Sequence, residues 1–133
     1  MTAQSDLARY RLARARQSLA EADLLASANQ WNGALNRIYY AAFYAARALL
    51  ALKRIDSSRH SGVIALLQEH FVRTGTVHSD VARVLAQSFA RRQKSDYGDF
   101  ADAQKDEVLV LRSETETFIR ACEDVVNRQS LQN

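Results

Sequence analysis

No proline interrupts these 133 residues, and only four glycines do. Relative to alanine, a helix interior disfavours proline by about 3 kcal/mol and glycine by about 1 kcal/mol, so little in this chain stops long helices. Twenty-two alanines and frequent Leu, Arg, Gln and Glu push the same way, because these side chains lose little freedom on entering a helix. The expected fold is all-α, an up-and-down bundle of four to five helices forming a single domain over 1–133. A chain of this length can bury a core without a disulfide framework or a structural metal.

Residues 5 to 28 place Ala8, Leu12, Ala15, Leu19, Ala22 and Ala26 on one stripe, which predicts an amphipathic first helix. Its small residues admit a close neighbour, expected to be the second helix folded back across the Asn29 to Asn32 corner. That second helix, from an Asn32 cap to about Lys53, is apolar or aromatic on nearly every face and so belongs at the centre. Arg37, Tyr40, Tyr44 and Arg47 are left to line a polar cleft or a second subunit. A loop over Arg54 to His60 leads to a shorter helix from Ser61, stopped by Thr74 and Gly75. Ser79 or Asp80 caps a fourth helix that ends at Gly98, and a fifth runs from about Asp102 to Arg128.

Other classes drop out. Cys122 is alone and has no CxxC partner, which fits a reducing compartment, the cytoplasm. No apolar run approaches the roughly 18 residues of a membrane span, and the start of the chain lacks the apolar stretch of a signal peptide. His60, His70 and His78 lack zinc-site spacing and partners, so no metal and no cofactor are expected. GxSxG, GxxxxGK and GxGxxG stretches are absent, which removes support for serine-hydrolase, P-loop and dinucleotide readings.

The net charge of +3 conceals a split. Residues 1–98 hold fourteen basic and seven acidic side chains, and residues 99–133 hold four and eight. Two readings follow. Either the basic part meets a phosphate-rich partner, or the acidic fifth helix pairs with basic neighbours inside the bundle.

The densest polar stretch is Arg91-Arg92-Gln93-Lys94-Ser95-Asp96-Tyr97-Gly98-Asp99-Phe100. In a helix Arg92 and Asp96 share a face, and Tyr97 stands at the helix end, where its hydroxyl could meet the guanidinium. Arginine grips two phosphate oxygens at once and can stabilise a phosphorane-like transition state. The structural alternative is an Arg-to-Asp pair worth about 0.2–0.5 kcal/mol beside an aromatic that anchors a helix end. Tyr39, Tyr40, Phe43 and Tyr44 read first as core and interface packing. If Tyr40, Tyr44 and Arg47 instead share a groove with Arg92, they offer stacking and phosphate contacts to a single-stranded nucleic acid. His60-Ser61 is either an anion-facing start of the third helix or a loop histidine beside a serine cap.

With RIYYAAFYAARALL at 37–50, HSGVIALLQEHFVRTG at 60–75 and RRQKSDYGDF at 91–100, the chain resembles the HEPN superfamily (higher eukaryotes and prokaryotes nucleotide-binding domain), in particular its small prokaryotic group. The resemblance implies a bundle of four or five helices that pairs as a homodimer, with the polar motif of each fourth helix facing a cleft between subunits. Many members are metal-independent endoribonucleases whose motif is an arginine followed, four to six positions on, by a histidine. Arg92 matches the arginine. Tyr97 stands where the histidine belongs, and tyrosine, with a pKa near 10, is a poor base at neutral pH.

Some toxin members carry an arginine-to-tyrosine version, and a partner minimal nucleotidyltransferase antitoxin attaches nucleotides to that tyrosine. Carried over, this makes Tyr97 both a catalytic residue and the modified switch. Arg92 would clamp the phosphate, Asp96 would orient Arg92 or polarise the ribose hydroxyl, Tyr97 would donate a hydrogen bond, and Arg47, Arg91 and Lys94 would attract the RNA backbone. The alternative is a non-catalytic helical module that binds a nucleotide, an RNA or a nucleotidyltransferase.

Overall fold

The computed structural model describes residues 2–99 and 101–132. The order is α1 (Ala3–Ser27), α2 (Trp31–Leu52), α3 (His60–Leu67), a wider-turn continuation at Gln68–Val72, α4 (Ser79–Tyr97) and α5 (Lys105–Gln132). Phe100, the last residue of the polar stretch, lies outside the described residues.

Thr2 opens α1 through a reciprocal cap with Ser5, each side chain accepting the other's backbone N–H. The expected stripe is inward: Ala8, Leu12, Ala15, Leu19 and Ala22 are buried. Their small size lets α1 lie along α2, and this hairpin is the most extensive helix pairing in the molecule. Asn29 makes the corner at φ 60, a left-handed conformation that Asn tolerates better than most residues. It allows the Gln30 N–H to reach the Leu25 carbonyl at 2.8 Å and close the end of α1.

Helix α2 packs against α1, α3, α4 and α5, with Leu35, Ile38, Tyr39, Leu49 and Leu50 wholly enclosed. Its expected cap is corrected: the N-terminal residue is Gln30, without a side-chain bond, and Asn32 lies inside the first turn. Asn32 is used across the fold instead. Its Oδ1 accepts the Ala103 N–H at 2.7 Å and the Ser95 hydroxyl at 2.9 Å, and its Nδ2 donates to Asp102 Oδ1 at 3.1 Å.

In the first turn of α3, a side chain at Gly62 would run into Ser57 Oγ, so only glycine lets the preceding loop close over the helix. Past Leu67 the backbone widens to i to i+5 bonding, with the Arg73 N–H on the Gln68 carbonyl at 2.9 Å, and this keeps Phe71 in the core. Helix α4 is capped one residue earlier than expected. His78 Nδ1 accepts the Asp80 N–H at 3.0 Å, while Asp80 pairs with Arg83 at 2.9 Å.

Gly98 ends α4 by space and not by dihedral: its φ of −102° suits any residue, but a Cβ would stand 2.7 Å from the Lys94 carbonyl oxygen. Helix α5 begins at Lys105, later than expected, because the carbonyls of Ala101 and Asp102 are held by Arg91 and the Gln104 N–H by Glu107. It then closes the core with Val108, Leu111, Phe118, Ile119, Cys122, Val125 and Val126.

Much of the charge split is absorbed inside the bundle. Glu116 and Glu123 of α5 take Arg16, Glu107 takes Arg91, and Arg112 reaches back to Asp23. Among the described residues no helix is long and apolar enough to cross a membrane.

Candidate functional site

Half-buried Arg37, Tyr40, Phe43, Tyr44 and Arg47 recur along α2 at helical spacing, on the part of that helix least covered by its neighbours. Arginines lie over the rings of this face. The guanidinium carbon of Arg37 is 4.8 Å from the Tyr40 centroid, that of Arg14 is 5.2 Å from Tyr44, and that of Arg47 is 5.7 Å from Phe43. A cation over an aromatic face is attracted by the ring quadrupole, so each pair fixes its guanidinium in place, Arg37 also lying 3.5 Å from Glu21 and Arg47 2.6 Å from Asp56.

Arg92 comes to the same face from α4. Its guanidinium carbon lies 4.8 Å from the Tyr39 centroid and 5.6 Å from that of Tyr40, and its side chain is only 16% exposed. What it lacks is a full set of acceptors. The nearest carboxylate, Asp96, is 3.8 Å away, too far for a hydrogen bond, and the buried Nε has no partner among the described residues. An unsatisfied buried donor costs about 1–3 kcal/mol, and that cost falls on the enclosed Nε; the terminal nitrogens, in no hydrogen bond among the described residues, are the part of the guanidinium open to an anion.

His60, at the first position of α3, completes the cluster. Its Nδ1 is hydrogen-bonded to the Tyr39 hydroxyl, and its ring stacks on Phe89 at 5.5 Å and 17° and lies 4.8 Å from Phe43. Burial, then the nearby positive Arg92, hold its proton affinity below the ordinary histidine value. Burial pushes the Tyr39 phenol well above its usual range.

The other sequence candidates are placed differently. Arg91 is fastened to Glu107 at 2.7 Å and to two backbone carbonyls, and it holds Glu107 below the usual carboxylate range. Arg47 is paired with Asp56 at 2.6 Å, which Arg11 also reaches. Tyr44 accepts a long hydrogen bond from Arg14 at 3.4 Å and, unlike Tyr40, is not among the rings that Arg92 covers. Lys94 is exposed and in no ion pair among the described residues. The expected meeting of Tyr97 with Arg92 is corrected: α4 stays wound through Tyr97, and five residues of helix turn the two side chains about 140° apart. Tyr97 is 86% exposed and makes no hydrogen bond to Arg92 among the described residues.

The sequence profile of the HEPN domain family matches residues 8–125. The chain belongs to the HEPN domain family. It is 34% identical over 126 residues to a UPF0332 protein of Thermotoga maritima, covering 95% of this chain and 96% of that one. Over 105 residues it is 31% identical to a Methanocaldococcus jannaschii protein named "Putative toxin MJ0142", covering 75% and 71%. A second protein of that organism, "Putative toxin MJ0605", is 34% identical over 83 residues, covering 62% of each chain.

Within this HEPN domain the sequence reading missed Tyr39 and Phe89 as parts of the site and the bridging role of Asn32. Phe89 carried a signal, since it stands three residues before Arg92 on one helical face. Tyr39 carried another: a tyrosine at the centre of an apolar helix must find a partner for its hydroxyl. Neither signal names the partner, because His60 is 21 residues away in the chain.

Proposed function

We propose that this HEPN domain is a toxin-like, metal-independent endoribonuclease. The observation that carries the reading is Arg92, a guanidinium held against Tyr39 and Tyr40 with a buried Nε that no group among the described residues satisfies. The toxin names of the Methanocaldococcus jannaschii relatives support it.

In this reading an RNA strand lies along the arginine and aromatic face of α2, where Tyr40 and Tyr44 and the guanidinium planes lying over them line the path of the bases and Lys94 attracts the backbone. Arg92 neutralises the scissile phosphate, and Asp96 steers the guanidinium. The ribose 2'-oxygen forms a bond to phosphorus and releases its proton to solvent. The bond from phosphorus to the 5'-oxygen breaks, the leaving oxygen takes a proton from water, and a 2',3'-cyclic phosphate end remains. Arg47 and Arg91, engaged by Asp56 and Glu107, add to the pull on the RNA backbone as charges already paired within the chain.

Two copies pair so that their Arg92 grooves share one cleft, and the protein works in the cytoplasm. Exposed Tyr97 hydrogen-bonds the substrate from the rim and is the acceptor for a minimal nucleotidyltransferase antitoxin. Its hydroxyl, losing its proton to solvent, attacks the α-phosphorus of a nucleoside triphosphate, pyrophosphate leaves, and the negative charge and bulk added at the end of α4 repel the incoming RNA strand.

Purified protein incubated with total RNA in EDTA should leave cyclic phosphate ends, and Arg92→Ala should leave the RNA intact. Equal cleavage by that variant overturns the assignment. The rotation of Tyr97 off the Arg92 face favours a second reading, a module that binds RNA or a nucleotidyltransferase without cutting, for which wild-type protein retains RNA in a filter assay and yields no new ends.

A further inference from the structure

Tyr39 is fully buried on α2, and a phenol shut away from water needs an acceptor for its proton. Among the described residues its hydroxyl meets only Nδ1 of His60. Two arrangements are conceivable. If Nδ1–H donated to the phenol oxygen, the phenolic proton would be left in the core with nothing to accept it. If instead the phenol donates to Nδ1, both groups are satisfied, and a neutral imidazole that accepts at Nδ1 carries its hydrogen on Nε2.

The surroundings hold the ring in place. Phe89 stacks on it, and Phe43 packs against it. Nε2 is left without a partner among the described residues. Arg92 follows Phe89 by one helical turn on α4 and rests on the same Tyr39 ring that holds His60, with its own Nε unpartnered. Two donor groups from different helices therefore share one aromatic platform, and neither His60 Nε2 nor the terminal nitrogens of Arg92 hydrogen-bond an acceptor among the described residues.

We propose that His60 Nε2–H and the Arg92 guanidinium form a single clamp for a phosphodiester, and that Tyr39 is the positioning residue that sets the His60 tautomer. The choice of an RNA phosphodiester as ligand rests on the ribonuclease reading above; the clamp itself rests on the Tyr39, His60 and Arg92 geometry. A neutral donor suits this place, because a second full charge beside Arg92 would be repelled in the free protein. His60 is thus a phosphate-binding group, and it does not replace the histidine base that the family motif has at the position of Tyr97.

The test uses the full chain and a short 2'-O-methyl RNA strand, which binds but cannot be cut. Histidine ring nitrogen spectra of the free protein should show His60 with its hydrogen on Nε2, and this resonance should move as the strand is added. His60→Leu and Arg92→Ala should each weaken binding about tenfold, the scale of one charge-assisted hydrogen bond. His60→Gln, which keeps an N–H donor, should retain most of the affinity. Tyr39→Phe should mix the tautomers and weaken binding severalfold while the circular dichroism spectrum stays helical.

Hydrogen on Nδ1 in the free wild-type protein, a ring signal unmoved by the strand, or wild-type affinity in a folded His60→Leu variant each overturns the clamp. Binding through His60 and Arg92 by a protein that leaves unmodified RNA intact would defeat the ribonuclease reading and keep the clamp. Undiminished cleavage by His60→Leu would do the reverse.

Discussion

Arg92 stands 4.8 Å from the centre of the Tyr39 ring, hydrogen-bonding neither a carboxylate nor a carbonyl among the described residues, although its neighbour Arg91 is fully engaged one residue earlier on the same helix. Removing the Arg92 guanidinium gives up a cation over an aromatic face, worth about 0.5–2 kcal/mol, but also removes an unsatisfied donor that costs about 1–3 kcal/mol. Arg92→Ala is therefore expected to lower RNA cleavage by about 10²- to 10³-fold. Its unfolding free energy in urea should stay within about 1 kcal/mol of wild type. Arg92→Lys should restore little activity, since an ammonium cannot hold two phosphate oxygens in a plane.

Arg91 should behave in the opposite way. Its two-nitrogen grip on Glu107 and its bonds to the Ala101 and Asp102 carbonyls fasten the α4 to α5 connection, and the side chain is only 19% exposed. Because Glu107 is more than a third exposed, solvent screens part of the pair. Arg91→Ala should lower the urea unfolding free energy by about 1–3 kcal/mol. At temperatures where the variant is folded, its cleavage per folded molecule should stay within a few-fold of wild type.

Asn32 ties the start of α2 to the same connection at Asp102 and Ala103 and to the end of α4 at Ser95. Asn32→Ala strands the Ala103 N–H and should destabilise the chain by about 1–2 kcal/mol. Hydrogen exchange should show the Ala103 amide losing protection ahead of the α2 core amides. Unchanged exchange at Ala103 would count against the tie.

Acid should weaken the fold through His60. The charged groups around it are Arg92 from α4 and Arg59 just before it, with Tyr39 and Tyr40 from α2 and the Asp96 carboxylate beyond Arg92. Burial and Arg92 lower its proton affinity in the folded state, so the unfolded chain binds the extra proton as pH falls. This contribution is complete above the ordinary histidine value of about 6.5 and is lost as pH falls through the folded-state value. Urea midpoints between pH 8 and pH 5 should fall less steeply in His60→Gln than in wild type.

Tyr97→Phe should leave stability unchanged, because the ring is 86% exposed. After co-expression with a nucleotidyltransferase antitoxin, intact mass should show nucleotide attached to wild type and none on this variant. Attachment to the phenylalanine variant would place the acceptor elsewhere.

Length, the missing prolines and the alanine stripe determined a helical bundle with α2 inside, because propensity and periodicity are properties of neighbouring residues, which the chain order contains. The same local logic picked out Arg92 and its polar surroundings. It failed where a side chain had a choice of partners. Asn32 looked like a cap and became a bridge to Ser95, Asp102 and Ala103, and the cap of α4 fell to His78. Arg91 and Arg92 are adjacent and carry the same side chain, yet packing of α5 put Glu107 beside one, and the other lies over the rings of α2. Tyr97, adjacent to Asp96 in sequence, was carried away from Arg92 by the winding of α4. Tertiary structure alone brought Tyr39, His60, Phe89 and Arg92 together, because which charges are satisfied and which stay open depends on groups that meet only when distant helices pack.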